Sequence, residues 1–253
     1  MPFDSLARAR SIVAAGLICV GTFLAPNGAK ADPSDWSGQV TVYGWGAGVS
    51  GDFRPLPIAP RLSFDNSFSD VLEDLDAAFF MTALARRGDL VLFGDLTYSS
   101  SSRSGRVPPG IAASGELTMR SATLAAGKRF HAERQTTLDL LGGARFWSIN
   151  GLVSVPLAGV SVAPEANFAD PIIALRANTR LSPRWSLLAY VDAGGFGTGS
   201  DFTWQTAVTA NYKVSDRFYL SAGWRHLYVD YNKNGADFDG SMTGPLIGAT
   251  IRF

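Results

Sequence analysis

Cysteine is almost absent from this chain. Of 253 residues only Cys19 is a cysteine, and it lies inside the N-terminal apolar run "SIVAAGLICVGTFLA". One thiol cannot build a disulfide framework. Histidine is nearly as scarce, with His131 and His226 the two present. A Cys/His metal centre therefore lacks its usual ligands, and no cofactor is expected. An excess of either charge is missing too, since 22 Lys and Arg balance 22 Asp and Glu. A nucleic-acid partner has no electrostatic footprint in such a chain. Beyond the N-terminal run, no segment approaches the roughly 18 consecutive apolar residues of a membrane helix.

What is present begins with an export signal. Arg8 and Arg10 precede the apolar run, and "PNGAKA" ends in the small-x-small pattern Ala29-Lys30-Ala31. Residues 1–31 read as a cleaved signal peptide, with residues 32–253 as one domain. A retained anchor is the alternative, disfavoured because the run is short and polar sequence follows at once. Ile18 before Cys19 fits a lipoprotein cleavage site poorly. Removing 1–31 takes away three basic residues and one acidic residue, leaving a slightly negative chain.

Near residue 190 the sequence "YVDAGGFGTGSDFTWQ" raises a nucleotide-binding alternative. A phosphate cradle needs a helix after its glycines, because the helix N-terminus supplies the amides that hold the anion. Here Phe202, Trp204, Val208, Ala210 and Tyr212 mostly alternate with polar residues, the two-residue period of a strand. The cluster Gly194, Gly195, Gly197 and Gly199 instead reads as a tight rim loop between strands, its glycines supplying positive φ.

Ten strand-like stretches follow the same logic: 37–49, 77–86, 90–100, 115–128, 137–149, 170–181, 185–196, 201–213, 218–230 and 242–253. After every second strand comes a tight turn, in "RRGD", "RFHAERQT", "LSPR" and "VSDR". Between these lie mostly longer segments: 50–76, 101–114, 150–169 and 231–241. Short turns on one side and long loops on the other predict an all-β, closed, antiparallel up-and-down transmembrane barrel of about ten strands, eight being the smaller alternative. Strand 170–181 puts Pro171, Ile173, Leu175, Ala177 and Thr179 on one face, opposite Asp170, Arg176, Asn178 and Arg180. Aromatics sit at both ends of the apolar faces: Trp185, Tyr212, Phe218 and Phe253 at the turns, and Tyr98, Phe146, Phe202, Trp204 and Tyr228 near the loops. Two aromatic belts favour a membrane barrel over a soluble sandwich.

The stretches "WSGQVTVYGWGAGVSGDF", "SFSDVLEDLDAAFFM", "LLGGARFW", "GGFGTGSDFTWQ", "GWRHLYVDY" and "IGATIRF" together resemble a family of proteobacterial outer-membrane β-barrel proteins, mostly uncharacterised. The resemblance spans nearly the whole chain after residue 31. It implies location in the outer membrane of a Gram-negative bacterium, lipid as the surrounding partner, and Phe253 as the C-terminal signal read by the barrel-assembly machinery. Leu84 stands where members of that family often carry an inward acidic residue, so interior chemistry is not carried over to strand 77–86.

Strand parity points Asp95, Glu116, Arg120, Asp139, Arg145, Asp170, Arg176, Asp192, Asp201 and Arg225 into the lumen. A small barrel fills its interior with side chains, and buried charges persist only when paired. A charged network that seals the lumen, with a structural or surface-interaction role, is the leading expectation. A narrow porin-like channel for small solutes is the runner-up. A rim hydrolase is the weaker third, with Asp201, Asp230, Asp237 and Asp239 imitating the acidic rim of ten-stranded omptin-like proteases. His131 falls in a turn and His226 on the lipid-facing side, so neither promises a general base. Ser67 with Asp70 resembles a capping box, and Phe68, Val71, Leu72 and Leu75 share a helical face, predicting a short helix over 67–76 that serves as lid, plug or gate. The sequence identifies no external ligand or protein partner.

Overall fold

The computed structural model describes residues 35–54, 62–107, 111–133, 135–158, 160–233 and 236–253. The expected signal peptide lies outside these. In chain order the elements are β1 (Ser37–Trp45), β2 (Gly48–Arg54), β3 (Leu62–Asn66), α1 (Phe68–Asp74), β4 (Leu75–Arg87), β5 (Leu90–Val107), β6 (Ile111–Glu133), β7 (Thr136–Val155), a 3-10 turn (Pro156–Ala158), β8 (Val160–Val162), β9 (Glu165–Arg180), β10 (Trp185–Gly194), β11 (Phe202–Lys213), β12 (Phe218–Lys233) and β13 (Ala236–Arg252).

Ten of these strands close the barrel. The order β1-β4-β5-β6-β7-β9-β10-β11-β12-β13 is antiparallel throughout, and β1 pairs back onto β13, from Gln39↔Arg252 to Trp45↔Leu246. Closure satisfies the backbone groups of every strand, which is the condition for crossing lipid with sheet. No helix among the described residues is long and apolar enough to do so.

One expected strand is broken. The stretch 37–49 ends as β1 at Trp45, and the chain resumes as β2, which runs on along β13 from Gly48↔Thr243 to Arg54↔Asp237. At the step Gly46 donates its N–H to Pro245 O at 2.8 Å. Strand β3 adds to β2, and α1 then returns the chain to β4. Ser67 caps α1 with a capping box to Asp70, the Asp70 carboxylate accepting from Ser67 N at 2.9 Å.

The loop ends differ more from expectation. Segments 101–114, 150–169 and 231–241 are largely strand: β5 and β6 stay paired to Val107↔Ile111, and β12 and β13 to Lys233↔Ala236. Beyond the bilayer neither face of a strand must be apolar, so the two-residue contrast that marks a membrane strand fades while the ladder continues. The turn end is short as expected, with Gly88 at φ 57 and residues 181–184 and 214–217 joining their strands directly. At the last of these Lys213 pairs with Asp216 at 2.6 Å, which raises the ammonium pKa and lowers that of the carboxyl.

Outward positions form an apolar band. Leu92, Leu96, Leu124, Leu140, Ile173, Leu175, Val191, Val208, Leu220, Ile247 and Ile251 are all exposed, and their inward neighbours are not. At the turn end Trp185 and Tyr212 pack with ring centroids 5.0 Å apart. An exposed hydrocarbon belt of this extent is the surface that lipid covers.

Candidate functional site: a charged layer inside the barrel

Inward residues from seven strands meet in a central layer. Arg145 on β7, 1% exposed, donates from Nε to Thr123 Oγ1 at 3.0 Å and from Nη1 to Thr203 Oγ1 at 3.2 Å. Its Nη2 pairs with the Asp192 carboxylate, which also accepts from the Tyr190 hydroxyl at 2.7 Å. On β12, Arg225 donates from Nη2 to Asp95 Oδ1 at 2.8 Å and to Gln205 Oε1 at 2.8 Å, and its Nη1 contacts the Tyr43 hydroxyl. Arg145 reaches the same Gln205 oxygen at 3.4 Å. One amide thus links two ion pairs that would otherwise stand apart. Guanidinium forks suit this work, because each offers five fixed donors and cannot lose its proton.

A second cluster lies nearer the turn end. Asp139 accepts from Arg129 Nε at 2.6 Å and Nη2 at 2.8 Å, and from Arg176 Nη1 at 3.0 Å. Two cations share one carboxylate. Toward the loop end the lumen is filled by an aromatic and apolar cluster that includes Tyr43, Trp45, Phe80, Trp147, Leu227 and Tyr231. Within it Phe168 stacks on Tyr231 at 4.5 Å, and the Arg225 guanidinium lies over Trp45 at 4.7 Å. On the turn side of the central layer a cavity of about 100 Å³ extends from Asp95 and Arg225 to Gln39, Tyr219 and Arg252.

The glycine loop is built into the barrel mouth. Gly195 and Gly197 adopt φ 85 and 77, a region that favours glycine, and Phe196 between them is held at φ 48. Gly194 and Gly199 serve by size: a Cβ on Gly199 would lie 2.3 Å from Ala169 O and 2.5 Å from Asp170 Oδ1. Buried Asp170 anchors the loop, accepting from Ser200 N at 2.6 Å, Ser200 Oγ at 2.8 Å and Trp147 Nε1 at 3.0 Å. Lys233 Nζ closes the other side by donating to Gly197 O at 2.9 Å.

Asp95, Asp139, Arg145, Asp170, Arg176, Asp192 and Arg225 are all buried inside. Three expected lumen residues are not. Glu116 and Arg120 are exposed on β6 and face outward, since Met119, Ser121 and Thr123 are its buried positions. The Arg120 guanidinium lies over the Tyr98 ring at 5.6 Å. The error is one of parity: both faces of "GELTMRSATLAAG" mix small, polar and apolar residues, so charge alone chose the wrong one. Asp201 is exposed as well, where the glycine loop hands over to β11, with its backbone N–H bonded to Asp230 O at 2.8 Å. Sequence reasoning missed Arg129, Gln205 and the tyrosine partners Tyr43 and Tyr190. Arg129 shares the parity of Thr123 on β6 and was within reach of a correct face assignment.

At the rim, His226 is half-buried on the outer face, with Nδ1 2.6 Å from Thr243 Oγ1 and its ring 4.4 Å from Trp204. Asp239 accepts from the Tyr228 hydroxyl at 3.2 Å, and Asp237 pairs with Arg54 at 3.6 Å. His131 is exposed near the turn end of β6, opposite Thr137. Phe253 is exposed on the lipid side, its backbone paired with Gly38 at 2.7 and 2.9 Å.

No protein-family profile matches the chain, and no curated protein does. Among solved structures, the outer membrane protease OmpT of Escherichia coli superposes with a TM-score of 0.52 at 11% identity, over 90% of this chain and 99% of OmpT. Ail, the attachment invasion locus protein of Yersinia pestis, aligns at 0.35 and 14% identity, over 86% and 98% of the two chains. Neisserial surface protein A aligns at 0.34 and 14%, over 86% and 97%. At 11% identity the likeness to OmpT is one of fold. With the apolar exterior, that fold is a transmembrane β-barrel of the outer-membrane type.

Proposed function

We propose that the protein is a sealed, non-enzymatic barrel whose role is structural or surface-interacting, with its short turns in the periplasm and its long hairpins outside. The observation that carries this reading is the central layer, in which Arg145, Asp192, Gln205, Arg225 and Asp95 bond to one another across the lumen. Ions crossing such a layer would have to break desolvated pairs, and the aromatic cluster adds a second closure on its outer side. The non-enzymatic part is supported by the rim: His226 is turned to the outer face and engaged by Thr243 and Trp204, and Asp239 by Tyr228. A nucleophile or water activated by a base needs that base free to accept a proton toward a cleft. The test is conductance of the purified, folded protein in planar bilayers. No discrete current steps are expected, and steps with a defined cation/anion preference would replace this reading with the channel. Incubating the same preparation with a peptide library should leave it uncut.

A further inference from the structure

The cavity on the turn side of the central layer is a dead end, and its charges do not cancel. Its wall carries Arg176, Arg225 and Arg252 but a single carboxylate, Asp95. Asp139 stands behind Arg176 and is already shared with Arg129. Arg252 forms no ion pair among the described residues; its guanidinium lies 3.9 Å from the centre of the Tyr219 ring, and its buried Nε has no hydrogen-bond partner. Arg225 is 2% exposed, and its Nε is likewise unpartnered. Two buried guanidinium N–H groups are thus left unsatisfied around one hollow. Buried donors of this kind ordinarily find an acceptor, and charged ones gain most from an anionic acceptor. The rest of the wall offers neutral hydrogen-bonding groups on several strands, among them Gln39, Asn178, Thr209 and Asn211, with Leu84, Leu188 and Ala207 as apolar surfaces.

We propose that this cavity is a binding site for a small hydroxylated oxyanion, of the sugar-acid or sugar-phosphate class, entering from the turn end. The oxyanion accepts from the Arg252 and Arg225 N–H groups, the amides and hydroxyls bond its hydroxyl groups, and the aliphatic wall covers its carbon skeleton. Because the central layer closes the far side, the site holds its ligand and does not conduct it. Gln39 lies directly across the ladder from Arg252. A carboxylate placed there meets the surplus cation from the neighbouring strand, where opposite charges are favourable partners. Gln39→Glu therefore fills the site electrostatically with almost no change in volume.

The test uses the full barrel folded in lipid nanodiscs, with D-glucuronate, glycerol 3-phosphate and neutral D-glucose as calorimetric titrants. Both anions are expected to bind, with glucose about tenfold or more weaker, the factor that about 1.4 kcal/mol represents. Arg252→Gln and Gln39→Glu should each weaken glucuronate binding at least about tenfold, a loss in the range of one charge-assisted hydrogen bond, and Arg252→Lys should restore part of it. Gln39→Glu keeps the proposal falsifiable should Arg252→Gln fail to fold, because it adds a pair where the other removes a cation. Absence of heat with either anion at tens of millimolar, equal binding of glucose, or indifference to Gln39→Glu would each overturn the site.

Discussion

At the scale of single residues, the barrel interior ranks its own arginines. Among the described residues Arg145 is the sole cation paired with Asp192, so Arg145→Ala leaves that buried carboxylate with the Tyr190 hydroxyl. Breaking a buried pair from one side costs about 3–5 kcal/mol, and that loss is expected in urea unfolding of the folded protein in lipid vesicles. Arg176→Ala removes one cation from Asp139 but leaves the two bonds from Arg129. Its cost should be that of one charged hydrogen bond, about 1.5–3 kcal/mol. Losses of no more than about 1 kcal/mol at both positions would mean that the carboxylates are hydrated, as in an open pore. The charges were legible wherever the opposite face was plainly apolar: on β9, Ile173 and Leu175 fix the side on which Asp170 and Arg176 must lie. They were not legible on β6, where alanine, serine and threonine occupy both faces and the assignment of Glu116 and Arg120 slipped by one residue. Gln205 was invisible for another reason: a neutral amide carries no sign of its partners until both ion pairs are brought to it by β7 and β12.

At the scale of elements, the lipid face and the glycine loop make separate predictions. Leu175 on β9 pairs across the ladder with outward Leu140 and Val191, in the middle of the apolar band. Leu181, 61% exposed, begins the turn after β9. Arginine costs about 2–4 kcal/mol at the bilayer midplane and about 0–1 near an interface, so Leu175→Arg should destabilise the folded barrel far more than Leu181→Arg in the same vesicles. Similar costs at both would move the membrane boundary. The glycine loop depends on a carboxylate that only accepts, since Ser200 N, Ser200 Oγ and Trp147 Nε1 all donate to Asp170. Asp170→Asn turns an amide N–H₂ toward those donors, so chymotrypsin should cleave after exposed Phe196 several-fold faster while the barrel keeps its heat-modifiable mobility on gels. An unchanged cleavage rate would show that backbone conformation alone holds the loop. Helix α1 was readable from the Ser67–Asp70 spacing because a capping box is a local bargain between neighbours in sequence. The outer halves of β5, β6 and β7 were not, because water outside the bilayer removes the hydrophobic alternation on which strand recognition rests.

At the scale of the whole molecule, the topology sets two unlike ends. An even number of barrel strands brings Ser37 and Phe253 to the same end, which is also the end of the turns at 88–89, 181–184 and 214–217. The opposite end carries hairpins whose ladders run on to Val107↔Ile111 and Lys233↔Ala236. Outer-membrane barrels keep short turns in the periplasm and long segments outside, and in the proposed orientation the cavity beneath the central layer opens to the periplasm. The sequence carried the two unlike ends through the alternation of turn and loop lengths alone. It could not carry which side chains meet across the lumen, because those partners come from strands far apart in the chain and meet at one height. The orientation can be checked because the only native thiol, Cys19, falls in the expected signal peptide. Leu157, 81% exposed in the 3-10 turn beyond β7, lies at the loop end, and exposed Pro183 lies in the turn between β9 and β10. In intact cells a membrane-impermeant maleimide should label Leu157→Cys and leave Pro183→Cys unlabelled, while lysed cells label both. Wild-type protein unlabelled after lysis would show that Cys19 has been removed. Labelling of Pro183→Cys alone in intact cells would invert the barrel, turn the cavity to the cell exterior, and make its anion an extracellular ligand.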